Sequence, residues 1–262
     1  MDWEKELYKE NEQPLDTLVD GYSNTAIFRK IAFIGDSLSS GEFETAAPDG
    51  KRGFYDLFEY SWGQYIARHN GLTAYNFSKG GMTAKRFNES FAEDMGFWDN
   101  SLAAQAYVIA LGVNDLNHAD WELGSPDDID PSDYKNNKDT IFGHYGAIIS
   151  RYREISPDAP FFFVGFPRST SYNEKKEKMI EGLYRLTEIF PHSYVIDLAK
   201  YGPVYDERFK KQFYLNGHMN PAGYILTARM IDSYIDYIVR HNPDKFKNAG
   251  FVNSGIEYKF DQ

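Results

Sequence analysis

Four short segments of the chain contain the residue types that acyl transfer needs. Ser37 follows an apolar run in "KIAFIGDS", and the pair Gly80 and Gly81 follows a second run in "SKGGMT". Asn114 lies in "GVND" after a third run, and His218 lies in "NGHMN" before the last predicted helix. A serine becomes an effective nucleophile beside a base such as histidine, and the oxyanion that forms needs N–H donors. We therefore predict Ser37 as the nucleophile and His218 as its base. The predicted oxyanion donors are the N–H groups of Ser37 and Gly81 and the Asn114 amide.

Each segment alone also has an ordinary structural interpretation. Gly-Asp-Ser and Asn-Asp are common in turns and helix caps, and a glycine pair suits a turn between a strand and a helix. Most single histidines have no chemical role. The order of the segments favours a site, because ligands of open parallel sheets bind where the strands end.

The elements that position these residues follow from the hydrophobic pattern. Near-continuous apolar runs, typical of parallel strands buried on both faces, cover residues 30–35, 73–77, 106–111, 160–166 and 193–198. Helical spacing predicts helices over 139–156, around 180–189 and after Asn220-Pro221. The last helix is expected to face inward with Ile225, Ala228, Ile231, Ile235 and Ile238. The alternation predicts an α/β domain with a doubly wound, flavodoxin-like parallel sheet of about five strands and helices on both faces.

Residues 40–60 are a long aromatic segment directly after Ser37. We expect a flap beside the site, because long connections in compact domains are usually functional or disordered. Candidate substrate contacts are Asp36, Gly80, Phe43, Phe54 and Tyr55. A second long connection, 116–138, is acidic, but its carboxylates lack the spacing of a calcium loop, so a solvated loop is favoured.

The domain is expected to extend over residues 26–241, between an N-terminal extension, 1–25, and a C-terminal tail, 242–262. The net charge is −11, which argues against nucleic acid or anionic membrane as a partner. There is no cysteine, so thiolate chemistry and disulfides are excluded. The first residues, "MDWEKELYKENEQPL", lack the pattern of a signal peptide, which predicts a cytoplasmic protein; a secreted chain whose signal has been removed would look the same. The pattern gives no oligomeric state.

The four segments resemble the conserved blocks of the SGNH, or GDSL, hydrolase superfamily of esterases and acylhydrolases. The first block, GDS, matches Gly35 to Ser37, and "NFSKGGMT" is similar to the second, with its glycine at Gly81. The third, GxND, matches Gly112 to Asp115, and "NGHMNPAGY" is similar to the block with the histidine. The resemblance implies a serine ester hydrolase acting on a small-molecule or carbohydrate ester, with no cofactor and no metal.

One position departs from that family pattern. The family usually has an aspartate three residues before the histidine, where this chain has Leu215. Some other acceptor must then hold the imidazole. The alternatives are a backbone carbonyl of residues 213–216, which we favour, the Asn216 side chain, or Asp206.

Two other functions fit the same pattern. A flavodoxin-like sheet can hold a flavin, although Asp36 in the first turn is unfavourable for a phosphate. A carbohydrate-binding or scaffolding module with weak catalysis could also keep the fold after losing the family's aspartate.

Overall fold

The computed structural model describes residues 4–118 and 120–256, and its secondary structure is as follows. The strands are β1 Lys30–Gly35, β2 Glu42–Ala46, β3 Arg52–Asp56, β4 Thr73–Ser78, β5 Ala106–Ala110, β6 Phe161–Val164, β7 Ser193–Ile196, β8 Tyr214–Leu215 and β9 His218–Met219. The helices are α1 Glu4–Leu7, α2 Ser37–Ser40, α3 Trp62–Asn70, α4 Ala84–Arg86, α5 Ala92–Asp94, α6 Val113–Asn117, α7 Ile141–Ile155, α8 Glu174–Ile189, α9 Leu198–Tyr201, α10 Glu207–Phe213, α11 Pro221–His241 and α12 Pro243–Phe246.

The centre of the molecule is a five-stranded sheet in the order β4-β1-β5-β6-β7, and all its neighbouring strands are parallel. This is the flavodoxin-like order, in which the chain reverses direction across the sheet between the first strand and its two neighbours. The predicted doubly wound α/β fold is therefore confirmed. Loops after β1 and β5 lie at the reversal point, where ligands of such sheets bind.

Alternate residues of each central strand enter cores on opposite faces of the sheet. Phe33 of β1 packs with α3 and α11 on one face, whereas Ile34 packs with α7 and α8 on the other. Along α11, the positions with the spacing of one helix face are buried: Tyr224, Ala228, Ile231, Ile235 and Ile238. The expectation that Ile225 faces inward is wrong, because it lies one residue past that face and is 41% exposed.

The described parts of both terminal segments pack on this core. Ser23 donates a hydrogen bond to Asp232 of α11 at 2.7 Å, and Glu12 pairs with Arg240 at 2.8 Å. On the C-terminal side, Asn253 donates to the carbonyl of Ala104 at 2.7 Å. Among the described residues, no helix is long and apolar enough to cross a membrane.

The segment between α2 and α3 contains a second, antiparallel sheet that the sequence pattern did not predict. β2 pairs with β3, so that Glu42 faces Asp56 and Ala46 faces Arg52. We call residues 42–56 the hairpin. It lies in the chain directly after the nucleophile candidate, and its residues contact the loop that carries His218.

Candidate active site

Ser37 is the first residue of α2, immediately after the central strand β1. Asp36 is the N-cap of this helix, and its carboxylate accepts a hydrogen bond from Leu38 N–H at 3.0 Å. Burial raises the pKa of Asp36 to about 7. In the described part of the chain, the Ser37 hydroxyl makes no hydrogen bond of its own. Asp36 therefore acts as a cap that fixes the turn, which leaves the Ser37 hydroxyl available for chemistry.

Asn114 lies in the first turn of α6, after β5. Gly112 precedes it with φ +114°, and a side chain there would also approach Phe166 within 3.1 Å, so glycine suits this turn. The Asn114 amide donates to the carbonyl of Met82 at 3.0 Å. Its neighbour Asp115 is fully buried and accepts from Ala84 N–H at 2.8 Å. Both residues thus connect the loop after β5 to the loop after β4.

The glycine pair occupies that loop after β4. Gly81 has φ +70°, and its N–H makes no hydrogen bond within the described residues. A Cβ on Gly80 would lie 1.9 Å from the Glu42 carboxylate, so a side chain there would displace that carboxylate. Gly80 therefore packs against the hairpin, and Gly81 N–H has no protein acceptor among the described residues.

His218 is presented by a short hairpin, β8–β9, in which it faces Leu215. Asn216 makes the turn with φ 58°, a conformation that asparagine tolerates better than most residues. The ring of His218 lies between two carboxylates of β2. Its Nδ1 is 3.2 Å from Glu44 Oε2, and its Nε2 is 3.0 Å from Glu42 Oε1.

The partner of His218 Nδ1 differs from all three alternatives that the sequence left open. Within the described residues, the hydrogen-bond partner of Nδ1 is the carboxylate of Glu44 and not a carbonyl of residues 213–216. The Asn216 side chain instead donates to the backbone carbonyl of Glu44 at 3.1 Å. Asp206 caps α10, where it accepts from Phe209 N–H at 2.8 Å. The acid beside the histidine therefore comes from the segment that follows the nucleophile.

The sequence pattern does not identify Glu42 and Glu44, because it predicts a flap and not a strand for residues 40–60. The signal was present in "GEFET", where acidic residues alternate with other residues at the period of a strand. Alternation places Glu42 and Glu44 on one face of β2, with Phe43 on the other. The alternation indicates a strand, but it contains no information about the contact of the two acids with the distant His218.

The two carboxylates have opposite electrostatic environments. Burial raises the pKa of Glu42, although the charge of His218 opposes this effect. For Glu44, burial also acts upward, but hydrogen bonds from His218 and Gly217 N–H and the charge of Arg52 outweigh it, so its pKa lies below the usual value. Glu44 is therefore ionised at neutral pH, as an acceptor for His218 Nδ1–H should be.

One cavity of about 380 Å³ joins several of the predicted site residues. Its lining includes Asp36 and Ser37 after β1, Asn114 after β5, and His218 of β9. Gly80 and Gly81 are not among its lining residues. No hydrogen bond joins Ser37 to His218 among the described residues, since Nε2 of His218 is directed to Glu42.

The aromatic candidates occupy three different environments. Phe43 is half-buried between Tyr60 and Tyr224, with ring centroids 5.3 and 5.7 Å away. Phe54 is 54% exposed, and its ring lies edge-on to His218 at 5.9 Å. Tyr55 is 56% exposed. None of the three lines the cavity. Within the described residues, Phe54 alone among them has a ring contact with a predicted site residue, His218.

A second cluster has ligand types that a cation could use. Glu89, Asp139 and His144 bring their donor atoms within 4.8 Å of one another. The ammonium of Lys85 lies among them, 2.6 Å from Asp139 and 3.7 Å from Glu89. A side-chain cation already balances these acids, so the cluster is explained as an ion-pair network.

Three solved structures to which this chain is similar are named as esterases. A family two carbohydrate esterase from Clostridium thermocellum in complex with cellohexaose is similar with a TM-score of 0.57 and 17% identity, over 87% of this chain and 67% of that chain. A family two enzyme from Corynascus thermopiles with its carbohydrate binding domain has a TM-score of 0.55 and 15% identity, over 84% and 68%. The psychrotrophic esterase EstA from Pseudoalteromonas sp. has a TM-score of 0.51 and 15% identity, over 82% and 99%.

At these identities the structures show a shared SGNH-hydrolase fold. Among curated proteins, none matches the sequence. The model of the GDSL-like Lipase/Acylhydrolase family matches residues 33–226, which include Ser37, Asn114 and His218 and most of the residues that line the cavity. The chain therefore belongs to the GDSL-like lipase/acylhydrolase family and is a carboxylic ester hydrolase.

Proposed function

We propose that the protein hydrolyses a small acyl ester through an acyl-enzyme on Ser37, with His218 as the base and Glu44 as the acid that orients it. The observation that supports this most directly is the position of Ser37 and His218 in one cavity, with Glu44 at 3.2 Å from Nδ1 of the histidine. Glu44 would hold the Nδ1–H tautomer, so that Nε2 is left to accept a proton. It would also stabilise the imidazolium that forms.

In the proposed reaction, the Ser37 oxygen attacks the ester carbonyl while its proton moves to His218 Nε2. The carbonyl oxygen becomes an oxyanion, which the N–H groups of Ser37 and Gly81 and the Asn114 amide stabilise. The alcohol leaves with the proton from Nε2, and water then repeats the sequence to release the acid. For the first step, Nε2 must exchange its contact with Glu42 for one with Ser37, as catalytic hydrogen bonds often form only in the substrate complex.

The substrate that we propose is an acetyl group on a carbohydrate. Two observations support it: a cavity of about 380 Å³, which suits a small acyl group, and two fold neighbours that are named as carbohydrate esterases. A panel of acetylated sugars against esters with longer acyl chains checks this choice. Higher kcat/KM on the long-chain esters would contradict it.

The nucleophile is tested with Ser37→Ala and a matched control, Ser39→Ala. Ser39 lies on the same turn and is buried, where it accepts a hydrogen bond from Ser78 at 2.8 Å. We expect Ser37→Ala to lose the hydrolysis of 4-nitrophenyl acetate by several orders of magnitude and to lose labelling by a fluorophosphonate. Ser39→Ala should keep both. Turnover close to that of the wild type in Ser37→Ala, with the thermal stability unchanged, would rule out the serine mechanism.

A further inference from the structure

The cavity that contains Ser37 also has a cationic region. Lys176, in the first turn of α8, and Lys210, on α10, both contribute to its lining. Ser169 and Ser171, from the connection that follows β6, line it as well. These residues come from a different part of the chain than the catalytic candidates, and neither the predicted mechanism nor the oxyanion donors use them.

Each of the two ammonium groups contacts one hydroxyl group. Lys176 Nζ donates to Ser171 Oγ at 3.1 Å, and Lys210 Nζ donates to Thr170 Oγ1 at 3.1 Å. Ser169 and Ser171 are themselves joined by a hydrogen bond of 3.2 Å. Ammonium and hydroxyl donors placed side by side are the groups that bind an anion.

The charge of this region is not balanced by nearby acids. Lys176 forms no ion pair in the described part of the chain, and Lys210 has one long contact, 3.5 Å, with Glu207, whose side chain is 83% exposed. Of the described residues that line the cavity, Asp36 is the one with a carboxylate. The whole chain carries a net charge of −11, so the charge of this region is opposite in sign to that of the protein as a whole.

Keeping two such lysines near each other has an electrostatic cost. Burial lowers the pKa of Lys176, and the charge of Lys210 lowers it further. Both lysines are partly buried, and loss of contact with water without a charged partner is unfavourable for an ammonium group. A bound anion would supply the partner that the protein does not provide.

We propose that Lys176 and Lys210 form a subsite for an anionic group, a carboxylate, carried by the ester substrate of this cavity. The proposal rests on the proposed ester hydrolysis and narrows its substrate class. On the proposed acetyl ester, the carboxylate belongs to the alcohol part, as in an acetylated uronic acid. If it belongs to the acyl part, as in a half-ester of a dicarboxylic acid, the acyl group is not acetyl, and the test below distinguishes the two. In both cases the two lysines bind the acid group while Ser37 attacks the ester.

The kinetic test uses matched pairs of esters that differ in one charge. On the alcohol side, an acetylated glucuronic acid is compared with the acetylated glucose; on the acyl side, 4-nitrophenyl hemisuccinate is compared with 4-nitrophenyl butyrate. We expect Lys176→Met and Lys210→Met each to raise KM about tenfold for the anionic member of one pair, with the neutral member nearly unchanged. The pair that responds identifies the side that bears the carboxylate.

The control variant is Lys178→Met. Lys178 lies on the same helix but points its charge to Glu174, 2.7 Å away, on the exposed surface. It should leave the kcat/KM of all four esters unchanged. An equal loss on anionic and neutral esters in the Lys176 and Lys210 variants, or no charge preference in the wild type, would overturn the proposal.

A binding measurement separates this proposal from the proposed function. Glucuronate and succinate are titrated calorimetrically into the Ser37→Ala variant, with glucose and butyramide as neutral probes. Binding of either anion that is lost in Ser37→Ala combined with Lys176→Met supports the subsite even if no ester is hydrolysed. If hydrolysis depends on Ser37 but neither anion binds and no charge preference is seen, the proposed ester hydrolysis is supported and the anion subsite is ruled out.

Discussion

At the scale of single residues, His218 contacts two carboxylates of one strand through different ring nitrogens. Glu44 is 2% exposed at its side chain and is held by Gly217 N–H, 2.8 Å away, and by Arg52, 3.1 Å away. Glu42 meets the nitrogen that a serine proton would have to reach. The arrangement separates an orienting acid from one that competes with Ser37 for the same imidazole nitrogen.

We predict that Glu44→Gln lowers kcat by about 10²- to 10⁴-fold while KM changes little. The amide keeps the shape of the side chain but cannot stabilise the imidazolium in the transition state. Asp206→Asn is the control, since Asp206 caps α10 and an asparagine can do the same. Steady-state kinetics on one activated acetyl ester measure both. A loss in Asp206→Asn as large as that in Glu44→Gln would contradict the role given to Glu44.

Part of the site could be predicted from the sequence because the strands determine where their following residues meet. Ser37 and Asn114 follow neighbouring strands, β1 and β5, so local patterns place them at one edge. Glu44 could not be found this way. Its position depends on contacts between β2 and the distant loop at Gly217, and a local pattern contains no information about that pairing.

At the scale of elements, the base of the hairpin is fixed to the core rather than free. Tyr224 donates from its hydroxyl to the carbonyl of Glu42 at 2.6 Å, and Asn216 holds the carbonyl of Glu44. Phe43, on the opposite face of β2, packs against Tyr60 and Tyr224. These contacts hold β2, which carries both acids, against the core. A mobile flap of the kind expected for residues 40–60 would need fewer contacts at this strand.

We predict that Phe43→Ala reduces kcat at least tenfold, because β2 loses its packing and the acids shift relative to His218. A displacement of about 1 Å in a catalytic group can lower rates by about a hundredfold. Tyr55→Ala, at an exposed position of the same hairpin, should retain full activity. Activity and thermal unfolding are measured together, at a temperature where both variants stay folded. Equal activity in the two variants would mean that the packing of β2 does not position the acids.

The central elements could be predicted, and the small ones could not. The five buried strands and the long helices α7, α8 and α11 have strong hydrophobic periodicity over many residues. The hairpin is largely exposed on β3, with the pattern of a loop, and its pairing depends on the rest of the molecule. Tertiary contacts thus determined the part of the fold that the local sequence left open.

At the scale of the whole molecule, two buried aspartates hold turns at the end of the sheet. Burial raises the pKa of Asp36 to about 7 and that of Asp115 to about 6. An aspartate in an unfolded chain titrates near 4. Between about pH 4 and pH 7, the folded protein therefore binds more protons at these positions than the unfolded chain does.

We predict that the contribution of these two aspartates to the free energy of unfolding decreases as the pH rises through this window. Each aspartate contributes up to about 1.4 kcal/mol per pH unit between its unfolded and folded pKa values. Asp36→Asn removes one titrating group and should make the decrease less steep. The control is Asp49→Asn, at an exposed position of the hairpin, which should leave the slope unchanged. Urea unfolding at several pH values from 4 to 8 measures the slope. The same slope in the wild type and Asp36→Asn would show that Asp36 does not titrate in this range.

The short distance along the chain from Ser37 to Glu44 limits how related sequences can change in length. Strand residues alternate between faces, so one added or lost residue before Glu42 would turn both acids away from His218. The hairpin tip, around residues 47–51, and the 116–138 loop are under no such constraint, since no acid of the site depends on their register. Length differences between lineages that share this arrangement should accumulate in those two places, and the seven steps between nucleophile and acid should stay unchanged.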